Sequence, residues 1–556
     1  MSKEKWRALV EKDLAGASFE KLLYRTPEGI TIEPLYTERP ADFQSSPSTY
    51  VQVTTEQTTA IGLCIRVEGD RLVASEELDG GANALWIDVG NGGALDAAAV
   101  AHADLVVDIA KSTPSEAIEW LAQRAVDERI WIGIDPITAT ARGLGPVDTL
   151  AAQMDQLPAL VTNARERLLN TRPLCVSTMT LHGAGADAAD ELALCLSAGV
   201  AYLRALIAAD LPITEAARML WLQLPVGGDI FGELCKLRAV RVLWHKVLVA
   251  AGAPDEPPPP IHAVASARTQ AQRDPWVNML RVTTEMFAAI IGGAQIVTPR
   301  PFDDQLAVVS ALGRRVARNT VLVLREESHL GRVVDAAGGS FYIETRTDGL
   351  AREAWKRFTA IEKDGGITAL IASGTLRERL DAAWARRAAQ LAKRKEPVLG
   401  VSEFAHIGEK LPADPVPARP EPIAPALVEH RDAETFEALR ARIEVSSRDV
   451  MLLALGPPAE HRGRTGYSAG LFGIVGIRTR ESTAPERADV AVICGSDQRY
   501  ATEAAEAARS LKLAGANKVV LAGNPGPLED ELRAAGVDVF VFVGCDVLAT
   551  LEELFS

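Results

Sequence analysis

Short apolar, β-branched runs alternate with longer stretches in which apolar residues recur every three or four positions. This rhythm fills most of the chain from residue 49 onward. The short runs fall at residues 50–54, 85–89, 105–109, 130–134, 174–178, 221–224, 261–265 and 294–297, and predict strands. Between them the helical period predicts helices at 115–126, 146–164, 188–208, 231–250 and 276–291, with a break expected at Pro158. A series of eight strand–helix units favours a closed (β/α)8 barrel of the TIM type, with an open doubly wound sheet as the alternative. Further helical patterns occupy 304–324, 349–361 and 375–392.

Three segments depart from that rhythm. Residues 1–48 hold one helical pattern (Trp6, Leu9, Val10, Leu14) and then proline-interrupted apolar groups, an arm that cannot bury itself and is expected to contact another subunit. Residues 401–446 include Pro412, Pro415, Pro417, Pro420, Pro422 and Pro425, which predict an extended, semi-rigid linker after a barrel region of 49–400. In 447–556, continuous apolar runs at 450–455, 491–494, 518–522 and 539–543 read as parallel strands buried on both faces. Helical patterns at 501–514, 528–535 and 547–554 accompany them, giving a small doubly wound, flavodoxin-like domain.

Composition narrows the partners. The net charge of -15 argues against nucleic acid and anionic membranes, which need clustered Lys and Arg. The N-terminus has no signal-peptide pattern and no apolar run approaches the length of a bilayer span, so a cytoplasmic protein is expected. The six cysteines lack zinc or C-x-x-C spacing and read as small core residues. Arg268, Arg273, Arg281 and Arg318 could hold a phosphate, but pairing with carboxylates is the stronger expectation.

In a doubly wound sheet, ligands bind beyond the carboxyl ends of the strands. The expected first loop there is Gly456-Pro-Pro-Ala-Glu-His-Arg-Gly463. Its single histidine, His461, has no second His, Cys or carboxylate pair to complete a metal site, so a solvated polar loop is expected.

Several ordered segments then carry a family resemblance. They are Thr26-Pro-Glu-Gly-Ile30, Lys236-Leu-Arg-Ala239, Ile291-Gly-Gly-Ala-Gln295, Arg315-Val-Ala-Arg-Asn-Thr320, and Glu326 through Asp335 to Gly338-Gly-Ser-Phe-Tyr342. With the barrel-then-flavodoxin layout, they resemble the adenosylcobalamin-dependent acyl-CoA mutases, methylmalonyl-CoA mutase among them. Val401-Ser-Glu-Phe404 and Gly463-Arg-Thr-Gly-Tyr-Ser468 are similar to the small subunits of the bacterial heterodimeric enzymes.

The resemblance implies a cobalt-binding histidine in an Asp-x-His-x-x-Gly loop. Aligned on Gly463, Pro458 stands at the Asp position and Glu460 at the His position, with His461 one residue late. Ser496 is kept from the family's Ser-x-Leu, but Gln498 replaces the Leu, and Ala522-Gly523 replaces a Gly-Gly. In the barrel, counting back from Ala184-Gly-Ala186 puts Met179-Thr180 where the family has Tyr-His, with His182 two residues on.

The implied protein has no catalytic, cofactor-binding or metal-binding residues of its own. It partners a homologous large subunit that binds adenosylcobalamin and interconverts (R)-methylmalonyl-CoA and succinyl-CoA. The alternatives are an active mutase using displaced His461 and His182, or a non-enzymatic binding or chaperone module.

Overall fold

A computed structural model describes residues 2–40, 61–67, 71–89, 103–109, 112–123, 129–168, 170–410, 426–445 and 448–555. Eight parallel strands close into a barrel: β1 (Gly62–Val67), β2 (Ala84–Asp88), β3 (Asp104–Asp108), β4 (Ile130–Ile134), β5 (Thr171–Ser177), β6 (Leu220–Val226), β7 (Ile261–Ala265) and β8 (Ile296–Thr298). Seven lie where the apolar runs predict them. The first does not: Gly62–Val67 closes the ring between β8 and β2, while the expected 50–54 strand lies outside the described residues.

Alternation along the strands separates two cores. Leu63, Ile65, Leu85, Ile87, Leu105 and Val107 face outward to the surrounding helices. Cys64, Trp86, Val106, Trp131, Cys175, Trp221, Val264 and Ile296 face inward and pack together. Trp131 and Trp221 lie 5.5 Å apart by ring centroids, and Trp221 donates to the Ile132 carbonyl at 2.9 Å. The barrel axis is therefore filled by indole rings.

An 18-residue stretch of the helix Ala188–Ala208 is apolar enough to pass as a membrane span, contrary to expectation. Here 67% of that stretch is buried in the protein, packed against Ile230–Ala250 and Phe341–Lys363. Gly199 allows this closeness, because a Cβ there would overlap the Trp244 ring. The helix Leu150–Arg167 runs through Pro158 without the expected break.

The C-terminal sheet contains β9 (Val450–Ala454), β10 (Arg480–Ser482), β11 (Val490–Cys494), β12 (Lys518–Ala522) and β13 (Val539–Val541). Their spatial order, β10-β9-β11-β12-β13, is the flavodoxin-like order, all parallel. The polar edge strand β10 has no apolar run and is absent from the sequence-based prediction.

Between the two domains, residues 426–432 cross the barrel mouth. Leu427 N–H donates to Ala141 O, His430 N–H to Gly183 O, and Asp432 N–H to Arg268 O. The Arg387 guanidinium grips both Asp432 carboxylate oxygens at 2.7 Å, and Trp384 stacks on His430 at 4.4 Å.

Candidate functional site

The carboxyl ends of barrel strands are where active sites form in this fold. A cavity of about 680 Å³ opens there, with Arg66, Trp86, Asp135, Ser177, Thr180 and Gln223 in its wall. Thr180, at the position the family gives to a histidine, is buried and donates to Glu429 Oε1 at 3.0 Å. Glu429 belongs to the crossing segment, so a carboxylate from a distant part of the chain occupies this point. A hydroxyl so engaged offers no titratable group near neutral pH.

His182 does not take over that role. Its Nδ1 lies 2.6 Å from Glu191 Oε1 and its Nε2 lies 2.7 Å from Ser266 Oγ. Both ring nitrogens are thus committed inside the protein. Burial, reinforced by the Arg268 and Lys236 charges, pushes the His182 pKa well below its ordinary value. A neutral ring with Nδ1–H donating to Glu191 and Nε2 accepting from Ser266 satisfies all three groups.

Glu191 also pairs with Lys236, whose ammonium lies 3.0 Å from Glu191 Oε2, 2.6 Å from Glu233 Oε2 and 2.8 Å from Pro225 O. Burial lowers the Lys236 pKa, but the two carboxylates outweigh it and the net shift is upward, so the ammonium stays charged. This network joins four chain segments behind the mouth. Sequence reasoning quoted Lys236 only as part of a family segment. A lysine three residues after Glu233 on the same helix was the available signal.

The four arginines divide. Arg318 pairs with Glu77 at 2.7 Å and Arg273 pairs with Glu444. Arg268 donates to the carbonyls of His182 and Ala186, and Arg281 donates to Asn278 Oδ1 and Leu399 O.

In the C-terminal domain the expected loop at 456–463 is mostly helix. Gly456, at φ +77, turns the chain after β9, and the helix Pro458–Gly473 begins at once. Glu460 in its first turn accepts from Arg499 Nε at 2.8 Å, and this ion pair holds the carboxyl below its usual range. His461 is buried, its Nδ1 turned toward Glu481 of β10 at 3.8 Å.

Tyr500 and Arg464 pack over the carboxyl ends of β11 and β12. The Tyr500 hydroxyl lies 3.0 Å from Ile493 O and 2.8 Å from Ala522 O, and accepts from Gly495 N–H at 3.1 Å. The Arg464 guanidinium sits 4.4 Å over the Tyr500 ring and donates to Gly495 O. A Cβ on Gly523 would lie 3.0 Å from the Tyr500 ring. Tyr500→Phe removes the hydroxyl from this junction and is expected to cost about 1–2 kcal/mol in urea unfolding.

A model of the methylmalonyl-CoA mutase family matches residues 140–462. The chain belongs to that family. The methylmalonyl-CoA mutase family consists of isomerases that depend on adenosylcobalamin. The chain is 37% identical to the methylmalonyl-CoA mutase small subunit of Streptomyces virginiae, over 99% of this chain and 96% of that one. It is 29% identical to the small subunit of Porphyromonas gingivalis, over the same shares. With the methylmalonyl-CoA mutase of Escherichia coli K12 it shares 31% identity over 52% of this chain and 40% of that one.

The residues present do not fit the methylmalonyl-CoA mutase cofactor. Where the resemblance would place the cobalt ligand, the chain holds Glu460, a hard anionic oxygen donor already paired with Arg499. The neighbouring imidazole is buried against β10, and Tyr500 and Arg464 cover the carboxyl ends of β11 and β12.

Proposed function

We propose that this chain is the small, non-catalytic subunit of a heterodimeric methylmalonyl-CoA mutase. Its large partner binds adenosylcobalamin and the CoA ester, and interconverts (R)-methylmalonyl-CoA and succinyl-CoA. The observation that carries the reading is Glu460 paired with Arg499 at the cobalt-ligand position. Thr180 bonded to Glu429 at the barrel's histidine position supports it. So does full-length similarity to proteins named as small subunits.

The domain plan accompanies this reading: an arm at 1–48 for subunit contact, a barrel region at 49–400, a linker at 401–446 and a degenerate cobalamin-type domain at 447–556. The arm suits contact because the helix Lys3–Asp13 has no buried residue and leaves Leu9 exposed. A cytoplasmic location agrees with six free cysteines. An independently active mutase would require His182 or His461, and both are buried within the protein.

Mixing this chain with the homologous large chain tests the proposal by size-exclusion chromatography with light scattering. The expected result is a 1:1 complex whose mutase activity requires the large chain. Separate elution of the two chains, or turnover by this chain alone, would overturn it.

A further inference from the structure

The barrel-mouth cavity reaches beyond the point where Thr180 meets Glu429. From the barrel axis it extends outward between the helices Pro114–Ala122 and Leu150–Arg167, where Leu144, Leu157 and Leu160 line it. Its volume of about 680 Å³ lies within the range of small-molecule sites. One end is therefore set among strand ends and the other among aliphatic side chains.

The charges in the wall are unevenly compensated. Of its carboxylates, Asp135 already receives the Tyr202 hydroxyl at 2.6 Å and the Thr138 and Ser177 N–H groups at 2.9 Å. Glu429 receives Thr180. Among its cations, Arg300 is paired with Asp304 at 2.6 Å, Arg268 donates to two carbonyls, and Arg142 is exposed with no carboxylate partner and no aromatic ring beneath it among the described residues.

Arg66 differs. It projects from β1 into the cavity as an exposed side chain, with its guanidinium 5.0 Å over the Trp86 ring. Among the described residues no carboxylate pairs with it. A guanidinium held on an aromatic face keeps its in-plane N–H donors free and suited to a carboxylate. The indole-filled axis beneath it blocks an elongated ligand from continuing through the barrel. A ligand must therefore turn sideways along the aliphatic wall.

We propose that this cavity binds a small amphipathic carboxylic acid. Its carboxylate sits at Arg66, and its hydrocarbon body lies against Leu144, Leu157 and Leu160. No covalent step is involved, and the site is independent of the subunit assignment. The fit combines one charge-assisted contact with burial of an aliphatic chain, so each half of the ligand should contribute separately.

Isothermal titration calorimetry on the full chain tests this, with octanoate as the probe and octanol and inorganic phosphate as controls. The expected result is saturable 1:1 binding of octanoate, with both controls weaker by about tenfold or more. Arg66→Met keeps the stem over Trp86 while removing the charge. It should weaken octanoate by about tenfold and leave octanol unchanged, with an unaltered melting temperature confirming the fold. Leu157→Asn, on the aliphatic wall, should weaken octanoate while leaving phosphate unaffected.

Four results would overturn the proposal: no saturable heat with millimolar octanoate, octanol binding as tightly as octanoate, phosphate binding as tightly as octanoate, or full octanoate affinity in Arg66→Met.

Discussion

Lys236→Met should destabilise the protein by about 3–5 kcal/mol, because it strands the buried Glu191 carboxylate and the partly buried Glu233 without their cation. Lys236 and Glu191 have side chains 0% and 2% exposed, and the ammonium also satisfies Glu233 and the Pro225 carbonyl. Methionine replaces the stem volume closely, so the loss reports the charge rather than a cavity. His182 provides a partial remedy, since its Nδ1 already faces Glu191 at 2.6 Å and the ring can take a proton once Lys236 is gone. In the variant its pKa should rise relative to the parent, because one of the charges that depresses it is gone while burial and Arg268 remain. The parent loses stability as pH falls below the unfolded value of about 6.5, because its folded ring resists the proton, and the variant loses less. The defect should therefore be smaller at pH 5.5 than at pH 8. Urea unfolding at both pH values measures it, and a loss below about 1 kcal/mol at pH 8 would contradict the buried ion-pair account.

Glu285→Gln should act in the opposite direction. Glu285 is fully buried and Thr269 Oγ1 donates to its Oε1 at 2.6 Å. Burial pushes its carboxyl up to about 8, with Glu233 adding to the shift and Thr269, Arg300 and Arg281 opposing it. Between about 4.3 and 8 the folded protein keeps this proton and the unfolded chain releases it, so stability falls by about 1.4 kcal/mol per pH unit. Glutamine preserves the acceptor for Thr269 and cannot ionise. The variant should therefore match the parent near pH 4 and exceed it by roughly 3 kcal/mol more at pH 8.5 than at pH 6. Parallel stability curves for the two proteins would show that Glu285 does not titrate in that window.

The architecture was readable because apolar period separates strands from helices, and seven barrel strands and four sheet strands obey it. The failures have physical causes. Val51-Gln-Val53 offers clean alternation, whereas Gly62–Val67 is nearly continuous and carries Arg66, so local pattern favoured the wrong run. The edge strand Arg480–Ser482 pairs on one side only and has no apolar signature.

The glycines of Pro458–Gly473 suggest a loop, yet Leu471 and Phe472 are buried by tertiary packing, and helix wins. At the candidate sites, counting from Gly463 and Ala184 identified Glu460 and Thr180. Their partners Arg499 and Glu429 are distant in sequence, and only the folded chain brings them together.

We propose that this member of the mutase family has closed its own cofactor site, with Glu460 held by Arg499 where the resemblance would place the cobalt ligand. Equilibrium dialysis of the purified full chain against adenosylcobalamin, followed by visible spectroscopy of the retained fraction, tests it most directly. No corrinoid should be retained above the protein-free control. Stoichiometric retention, with a spectrum showing histidine bound to cobalt, would contradict it.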